Sequence, residues 1–285
     1  MDVLSIALAV LTALFWSLSQ IMGKVLMKEM NPTYYSTLRL VIAVIVFTPL
    51  VLINGLRITA DSLPIVALDG VLGMALGILI YFYCMKRAPA HKIIPVGNSY
   101  PIWAMVLALV LLREPFSIVL PISIALIMAG VLLLVQRKKE RRSNGWWLAV
   151  PLTTLVAALY GLDLVLRKMA VNLRTDVTSF VWVSLVVAAS VLVLATLFTR
   201  SWSGQNLGRK NLSLVFFSSL FGHILGTIVF MWALESESLT SLAPFVSLSI
   251  PFGFIFSVLF IEEKPSLKSV FGMALVFLSV VLVAL

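Results

Sequence analysis

The sequence is poor in cysteine and histidine. Its 285 residues include one cysteine, Cys84, which excludes an intramolecular disulfide and any site built from several cysteines. The two histidines, His91 and His223, have no clustered partners, which argues against zinc chemistry. We therefore expect no metal and no cofactor.

Charged residues are also scarce. They make up 12% of the chain, hydrophobic residues make up 61%, and the mean hydropathy is +1.10, whereas soluble domains contain about 25% charged and 45–50% apolar residues. Apolar segments of about 20 residues, the length of a transmembrane helix, recur along the whole chain. We predict an all-α integral membrane protein with ten transmembrane helices, at about 4–22, 34–53, 63–83, 93–112, 117–135, 146–166, 177–198, 212–233, 239–261 and 267–285.

The polar breaks between these spans are short. The longest, around 136–145 and 199–211, hold about a dozen residues each, which leaves no room for a soluble domain. The chain has no G-x-x-x-x-G-K-[ST] match, so it lacks the phosphate-binding loop of nucleotide-driven pumps. No basic residue precedes the first segment and it has no clear cleavage site, so we interpret it as a span and not as a signal peptide.

The basic residues are unevenly distributed. The net charge is +9, and the densest basic cluster, at 136–142, lies between spans five and six, where basic residues set orientation and do not indicate nucleic-acid binding. Of the 21 Lys and Arg, fifteen fall on one side of the predicted spans and five on the other, with Arg39 inside span two. The positive-inside rule then places both termini outside the cytoplasm.

Two stretches share one design about 150 positions apart. NSYPIWAMVLALVLLREP at 98–115 and SLSIPFGFIFSVLFIEEKP at 247–265 each combine a polar lead-in, a proline, an apolar run and a charged end. Five spans are thus followed by five more. Since five is odd, the second copy must enter the membrane from the opposite face. We predict two inverted-topology repeats, an arrangement typical of transporters that hold substrate near the midplane, with domains at 1–138 and 143–285.

These features together resemble the EamA-domain members of the drug/metabolite transporter superfamily, over essentially the whole chain. The matching positions are Trp16-Ser17 with its echo Tyr160-Gly161, KRAPAHKIIPVGNSYP at 86–101, Glu114, Gly130, Pro251, Glu263 and Gly272, while Ser279 replaces the second closing glycine. The resemblance implies two tandem five-span units and, most commonly, export of amino acids or related metabolites. It also implies cytoplasmic termini, opposite to the charge distribution.

Prolines interrupt spans four and nine. Pro101 and Pro251 each remove a backbone hydrogen bond to the carbonyl four residues earlier, and Pro95 and Pro244 are further kink positions. Freed carbonyls are tolerated in a membrane only where protein or a wet cavity satisfies them. Spans four and nine therefore either line a central cavity or contain packing kinks repaired by Ser or Thr.

Polar residues at the first kink favour the cavity. Asn98, Ser99 and Tyr100 are candidate substrate contacts, whereas the second kink offers only Ser247 and Ser249. We expect polar contacts at the kinks to come mainly from the first half.

Ionisable residues deep in a span are rare and are functional candidates. Asp163 shares a helical face with Tyr160 and Arg167. It either forms a local ion pair with Arg167 or binds a substrate ammonium or a coupling proton. Its repeat mate is Ser19. We predict a substrate site across the pseudo-symmetry axis, formed by Trp16, Ser19, Gln20, Tyr160 and Asp163.

Two further residues are candidates for binding a coupling ion. His223 in span eight changes charge near neutral pH, or is simply hydrogen-bonded between helices. In span three, residues at intervals of four form a stripe that begins at Asp69 and ends at Tyr81, a candidate substrate contact. The glycines between them allow close packing against other helices, so we expect the stripe to face the interior of the protein. The stripe is Asp69, Gly73, Gly77 and Tyr81, and we expect its copy to be Ser219, His223, Thr227 and Met231.

The sequence favours a secondary active transporter that moves a small polar or amphipathic metabolite by alternating access, with protons as the candidate coupling ion. We expect the protein to lie in the lipid bilayer of the plasma or inner membrane, as a monomer or weak homodimer. We expect it not to bind nucleic acid. One alternative is an intramembrane aspartyl hydrolase in which Asp69 and Asp163 share a proton. YGLD at 160–163 is similar to the Gly-x-Gly-Asp signature of such enzymes, but Leu162 stands at the second glycine. The other alternative is a passive channel.

Overall fold

The computed structural model describes residues 1–135, 146–205, 207–262 and 266–284. Within these ranges the regular structure is helical. Nine of the described helices are long and apolar enough to cross a bilayer, and one further apolar helix has 17 residues. In chain order they are α1 (Val3–Leu26), α2 (Pro32–Asn54), α3 (Leu63–Arg87), α4 (Ala90–Leu112), α5 (Val119–Val135), α6 (Trp146–Asn172), α7 (Val177–Thr199), α8 (Arg209–Ser236), α9 (Leu239–Ile261) and α10 (Leu267–Ala284).

Local chemistry fixes several helix ends. Asn31 accepts a hydrogen bond from the Thr33 N–H and is followed by Pro32, so α2 begins with a side-chain cap and a proline at its first position. Asp176 caps α7 in the same way, accepting from the Ser179 N–H at 2.8 Å. The basic cluster at 136–142 and Glu263 lie outside the described residues.

The prolines of α4 and α9 produce complete breaks. The first segment of α4 ends at Gly97 and the second begins at Tyr100, while α9 is interrupted at Ser247 and Leu248. Pro101 and Pro251 therefore lie in the first turn of a new helical segment. The N–H groups of a first turn have no acceptor within the helix, so a proline there removes no helical hydrogen bond. The expected kinks are thus interruptions, and the Ser247 carbonyl is not free, because it accepts from the Ile250 N–H at 2.9 Å. Pro95 and Pro244 lie inside the short segments that precede the breaks.

The two halves pack across each other. Helix α1 packs against α8 and α9 of the second half, and α6 packs against α3 and α4 of the first half. The corresponding helices α2 and α7 pack against each other, as do α5 and α10. The core of the protein is therefore assembled from both halves, with α1 and α6 each surrounded by helices of the other half.

Helices α5 and α10 contact each other at two corresponding residue pairs, Gly130 with Gly272 and Ser123 with Ser279. A Cβ added to Gly130 would lie 2.6 Å from the Gly272 carbonyl oxygen, so only glycine fits there. The hydroxyls of Ser123 and Ser279 are 2.6 Å apart. Gly130 precedes Ser279 by 149 positions, and Ser123 precedes Gly272 by 149. Ser279, which replaces the second closing glycine of the family pattern, thus faces Ser123. A contact between two hydroxyls takes the place of a second contact between glycines.

Two lysines confirm this spacing. Lys24 on α1 donates to the carbonyls of Met85 and Ala88 at the end of α3, and Lys168 on α6 donates to those of Leu234 and Glu237 at the end of α8. The acceptors in the second half lie 149 positions after those in the first. Each lysine satisfies carbonyls that a helix end leaves unpaired.

The register of α8 corrects the expected stripe by one residue. Gly73 lies against Asp163 as Gly222 lies against Ser19, and Gly77 lies against Tyr160 as Gly226 lies against Trp16. The copy of the stripe is therefore Ser218, Gly222, Gly226 and Phe230, and not Ser219, His223, Thr227 and Met231. Both stripes run through π-helical turns, at Asp69–Gly77 and Leu220–Leu225, a geometry that occurs frequently at functional sites.

Candidate functional site

A cavity lies where the two halves meet. Its volume is about 90 Å³, counted over the positions that the centre of a water-sized sphere can occupy. A single water needs about 10–15 Å³ by this measure, so the cavity has room for a small organic molecule. Residues from α1, α2, α3, α4, α6 and α8 line it. Eight residues predicted from the sequence are among them: Trp16, Ser19, Gln20, Tyr81, Tyr100, Tyr160, Asp163 and His223.

Aromatic rings form much of the wall. Tyr100 contacts both Trp16 and Tyr160 edge-on, with ring centroids 5.9 and 6.2 Å apart. Tyr160 contacts Tyr81 at 6.1 Å, and Trp16 contacts Phe230 at 5.5 Å. The last two pairs correspond to each other in the two halves. Such a wall offers ring faces to apolar or cationic groups.

A buried charge cluster occupies one side of the cavity. Arg167 Nη2 lies 2.6 Å from Asp163 Oδ2, and its Nε donates to Asp69 Oδ1 at 3.1 Å. The predicted ion pair between Asp163 and Arg167 is confirmed, but it is a buried group of three. With every group ionised, two carboxylates and one guanidinium carry a net charge of −1.

The acidic cluster has unused capacity. Asp163 Oδ1 and Asp69 Oδ2 are buried, and neither has a hydrogen-bond donor in the described ranges. Gly73 makes room for Asp163, because a Cβ there would collide with the carboxylate. Asp69 does not line the cavity and reaches it only through Arg167. A proton or a cationic group at these oxygens would neutralise the cluster.

Arg39 also lines the cavity, although it was not among the candidates predicted from the sequence. It lies in the middle of α2 and is 4% exposed. The signal was present, since the rule that selected Asp163 and His223 as ionisable residues inside a span applies equally to an arginine.

His223 also faces the cavity. Its Nε2 is buried and has no hydrogen-bond partner in the part of the chain that the structure describes. This nitrogen therefore forms no bond between helices among the described residues, and the two alternatives for His223, binding a coupling ion and bonding between helices, both stay predictions. Among the described residues, no group of three His, Cys, Asp or Glu could hold a metal ion.

Hydrogen bonds from side chains connect the breaks of α4 and α9 beside the cavity. The side-chain amides of Gln20 and Asn98 bond each other reciprocally at 2.8 and 3.0 Å, and Asn98 also donates to the Ser249 carbonyl at 3.1 Å. Ser17 donates to the same carbonyl. Ser99 bonds the carbonyl of Val96 in its own helix. Asn98 and Ser99, predicted as substrate contacts, are not among the residues that line the cavity, whereas Tyr100 is.

Comparison with known proteins gives one family. The model of the EamA-like transporter family matches this chain twice, over residues 3–136 and 147–285. An uncharacterized transporter of Archaeoglobus fulgidus is 23% identical over 99% of this chain and 98% of its own length. Human solute carrier family 35 member G1 is 25% identical over 72% of this chain, which spans 58% of the human protein.

The crystal structure of another protein has the same fold. It superposes with a TM-score of 0.79 over 98% of this chain and 95% of its own, at 15% sequence identity.

Proposed function

Because this chain belongs to the EamA-like transporter family of the drug/metabolite transporter superfamily, we propose that it is a secondary active transporter that works by alternating access. The cargo is a small polar or amphipathic metabolite, an amino acid or a related compound, and the direction is export across the cell membrane. The moving units are two inverted five-helix repeats, 1–138 and 143–285. Helix α5, with 17 residues, is at the short end of the spanning range and is the tenth crossing helix.

The observation that carries this proposal is the cluster of Asp163, Arg167 and Asp69 on the cavity wall. With all three groups ionised the cluster would hold one negative charge more than it holds positive, and two of its carboxylate oxygens have no hydrogen-bond partner among the described residues. Burying an uncompensated charge is costly, so the cluster favours binding a cation. A proton and a substrate ammonium would compete for the same carboxylates. Competition of this kind couples entry of the proton to exit of the substrate.

The packing of the helices supports alternating access. Both halves contribute to the cavity, and α1 and α6 each lie within helices of the other half. Rocking one repeat against the other around a fixed central site would move these contacts together. The breaks in α4 and α9 lie at corresponding positions beside the site, where unwound backbone allows the halves to shift.

The hydrolase alternative has less support. An aspartyl hydrolase activates a water held between its two carboxylates, whereas here Arg167 contacts both Asp69 and Asp163. The family and the relatives are also transporters.

Metabolite profiling followed by counterflow tests the proposal. Cells that overproduce or lack the protein should differ in one class of small metabolite. Purified protein in liposomes should then exchange that metabolite across the membrane with saturable kinetics. Flux that rises linearly with concentration and shows no counterflow would identify a passive channel and contradict the carrier.

A further inference from the structure

Arg39 is a buried cation that no carboxylate neutralises. It is 4% exposed, and neither Asp69 nor Asp163 lies within ion-pairing distance of it; both carboxylates pair with Arg167. No other acidic side chain in the described ranges pairs with it either. A charged side chain inside a membrane protein is expensive, and it is retained where it pairs or has a function.

The contacts that Arg39 does make are with neutral groups. Its Nη2 donates to Ser19 Oγ at 2.7 Å and to the Ser218 carbonyl at 3.2 Å. Its guanidinium lies 5.4 Å from the Tyr35 ring centroid and 5.2 Å from that of Phe82. Its buried Nε has no hydrogen-bond partner among the described residues. These contacts orient the guanidinium but leave its charge and part of its donor capacity unused.

The same cavity contains the opposite charge. The cluster of Asp69, Asp163 and Arg167 carries a net charge of −1 when all three are ionised, and Asp163 Oδ1 is unbonded. Arg39 and Asp163 come from α2 and α6, in different halves of the protein, and both line the cavity. One wall thus carries an uncompensated cation and another an uncompensated anion.

We infer that Arg39 is the anion-binding residue of the transport site, and that the cargo is a zwitterion. The anionic group of the cargo, a carboxylate, binds the Arg39 guanidinium, and its ammonium group binds Asp163. The apolar remainder lies against the aromatic wall of Trp16, Tyr100 and Tyr160. This assignment rests on the proposed transport function and adds to it the residue that recognises the negative end of the cargo.

Gly222 supports the assignment. A Cβ at this position would lie 2.5 Å from Arg39 Nη2 and closer still to Ser19 Oγ. Glycine therefore leaves space for the guanidinium beside α8, as Gly73 leaves space for the Asp163 carboxylate beside α3. The two halves use corresponding glycines to accommodate groups of opposite charge.

Two matched series of probes test the inference. L-alanine is compared with ethylamine, which lacks the carboxylate, and with propionate, which lacks the ammonium. L-phenylalanine is compared in the same way with 2-phenylethylamine and 3-phenylpropionate. Binding to the purified protein is measured by thermal stabilisation and by inhibition of counterflow. In at least one series the wild type should bind the amino acid about tenfold or more tightly than either analogue, since hydrogen bonds to charged groups contribute this much.

The variant Arg39→Gln should abolish the preference for the amino acid over the amine, whereas Arg39→Lys should retain part of it. Arg57→Gln is the matched control, because Arg57 is exposed outside the helices and should leave all affinities unchanged. A purely structural role of Arg39 would lower the melting temperature without changing the ratio of the two affinities.

The selectivity of the wild type tests the inference even if Arg39→Gln fails to fold. An equal affinity for amino acid and amine in both series, or failure of all six probes to bind, would overturn the inference. So would a preference that survives in a folded Arg39→Gln variant. Saturable counterflow of another metabolite in the same preparation would leave the transport function standing while the zwitterion is rejected. Absence of counterflow for every metabolite would instead reject the transport function itself.

Discussion

Asp163 and Arg167, four residues apart on α6, form an ion pair of 2.6 Å with both side chains about nineteen-twentieths buried. The pair is not electrically complete, because Asp69 of α3 contacts the same guanidinium at 3.1 Å. Two helices from different halves are therefore joined through one arginine, and with all three groups ionised a single negative charge would be left for a cation to neutralise. In the proposed mechanism, a change in the occupancy of this site would act directly on the contact between the halves.

The glycines beside the charged groups should be intolerant of any side chain. In Gly73→Ala the new methyl group would collide with the Asp163 carboxylate, and in Gly222→Ala it would displace Ser19 and Arg39. Displacing a binding group by about 1 Å can cost on the order of a hundredfold in rate. Both variants should therefore fold and lose most of their transport in liposomes. Wild-type transport in both would show that these close contacts do not position the site.

The corresponding lysines should affect opposite faces of the membrane. Lys24→Met removes a donor from the end of α3, and Lys168→Met removes one from the end of α8. Each loss should favour opening on its own side, since the two ends face opposite ways if the repeats are inverted. Labelling of Thr227→Cys with an impermeant thiol reagent, in a Cys84→Ala background, should rise from one face in Lys24→Met and from the other in Lys168→Met. An increase from the same face in both variants would argue against inversion.

The crossing of α5 and α10 should depend on glycine much more than on its hydroxyl pair. Gly130→Val places a side chain against the Gly272 backbone, and overpacking of this kind costs about 1–3 kcal/mol. Ser279→Ala removes only the hydroxyl contact with Ser123, and side-chain hydrogen bonds in membrane proteins contribute about 0.6 kcal/mol on average. Thermal unfolding in detergent should show a clearly larger loss of stability for Gly130→Val. A ranking in the reverse order would contradict the packing described.

Much of the fold follows from local signals in the sequence. The span predicted at 239–261 is the helix Leu239–Ile261, because apolar length and flanking polar residues determine where a membrane helix begins and ends. The candidates Trp16, Ser19, Tyr160 and Asp163 meet in one cavity, and they occupy corresponding positions of the two tandem domains.

Other features depend on how the helices rotate and slide against each other. Residues of α8 follow the corresponding residues of α3 by 149 positions and not by 150. Hydropathy does not distinguish the two offsets, because both place apolar residues throughout the span. The contact of Gly222 with Ser19 decides it. Likewise, α2 is apolar on most of its circumference, so the sequence does not reveal whether Arg39 points to the cavity or to lipid headgroups. Only packing against α1 and α8 places it in the site.

The decisive measurement compares wild type, Asp163→Asn and the control Asp61→Asn for transport driven by a proton gradient in liposomes. Asp61 is exposed between α2 and α3 and should not matter. Asp163→Asn should elute as a single species with a melting temperature near that of the wild type, yet lose gradient-driven accumulation by at least about tenfold, because an amide cannot bind and release a proton. Full gradient-driven transport by a folded Asp163→Asn variant would show that the coupling site lies elsewhere.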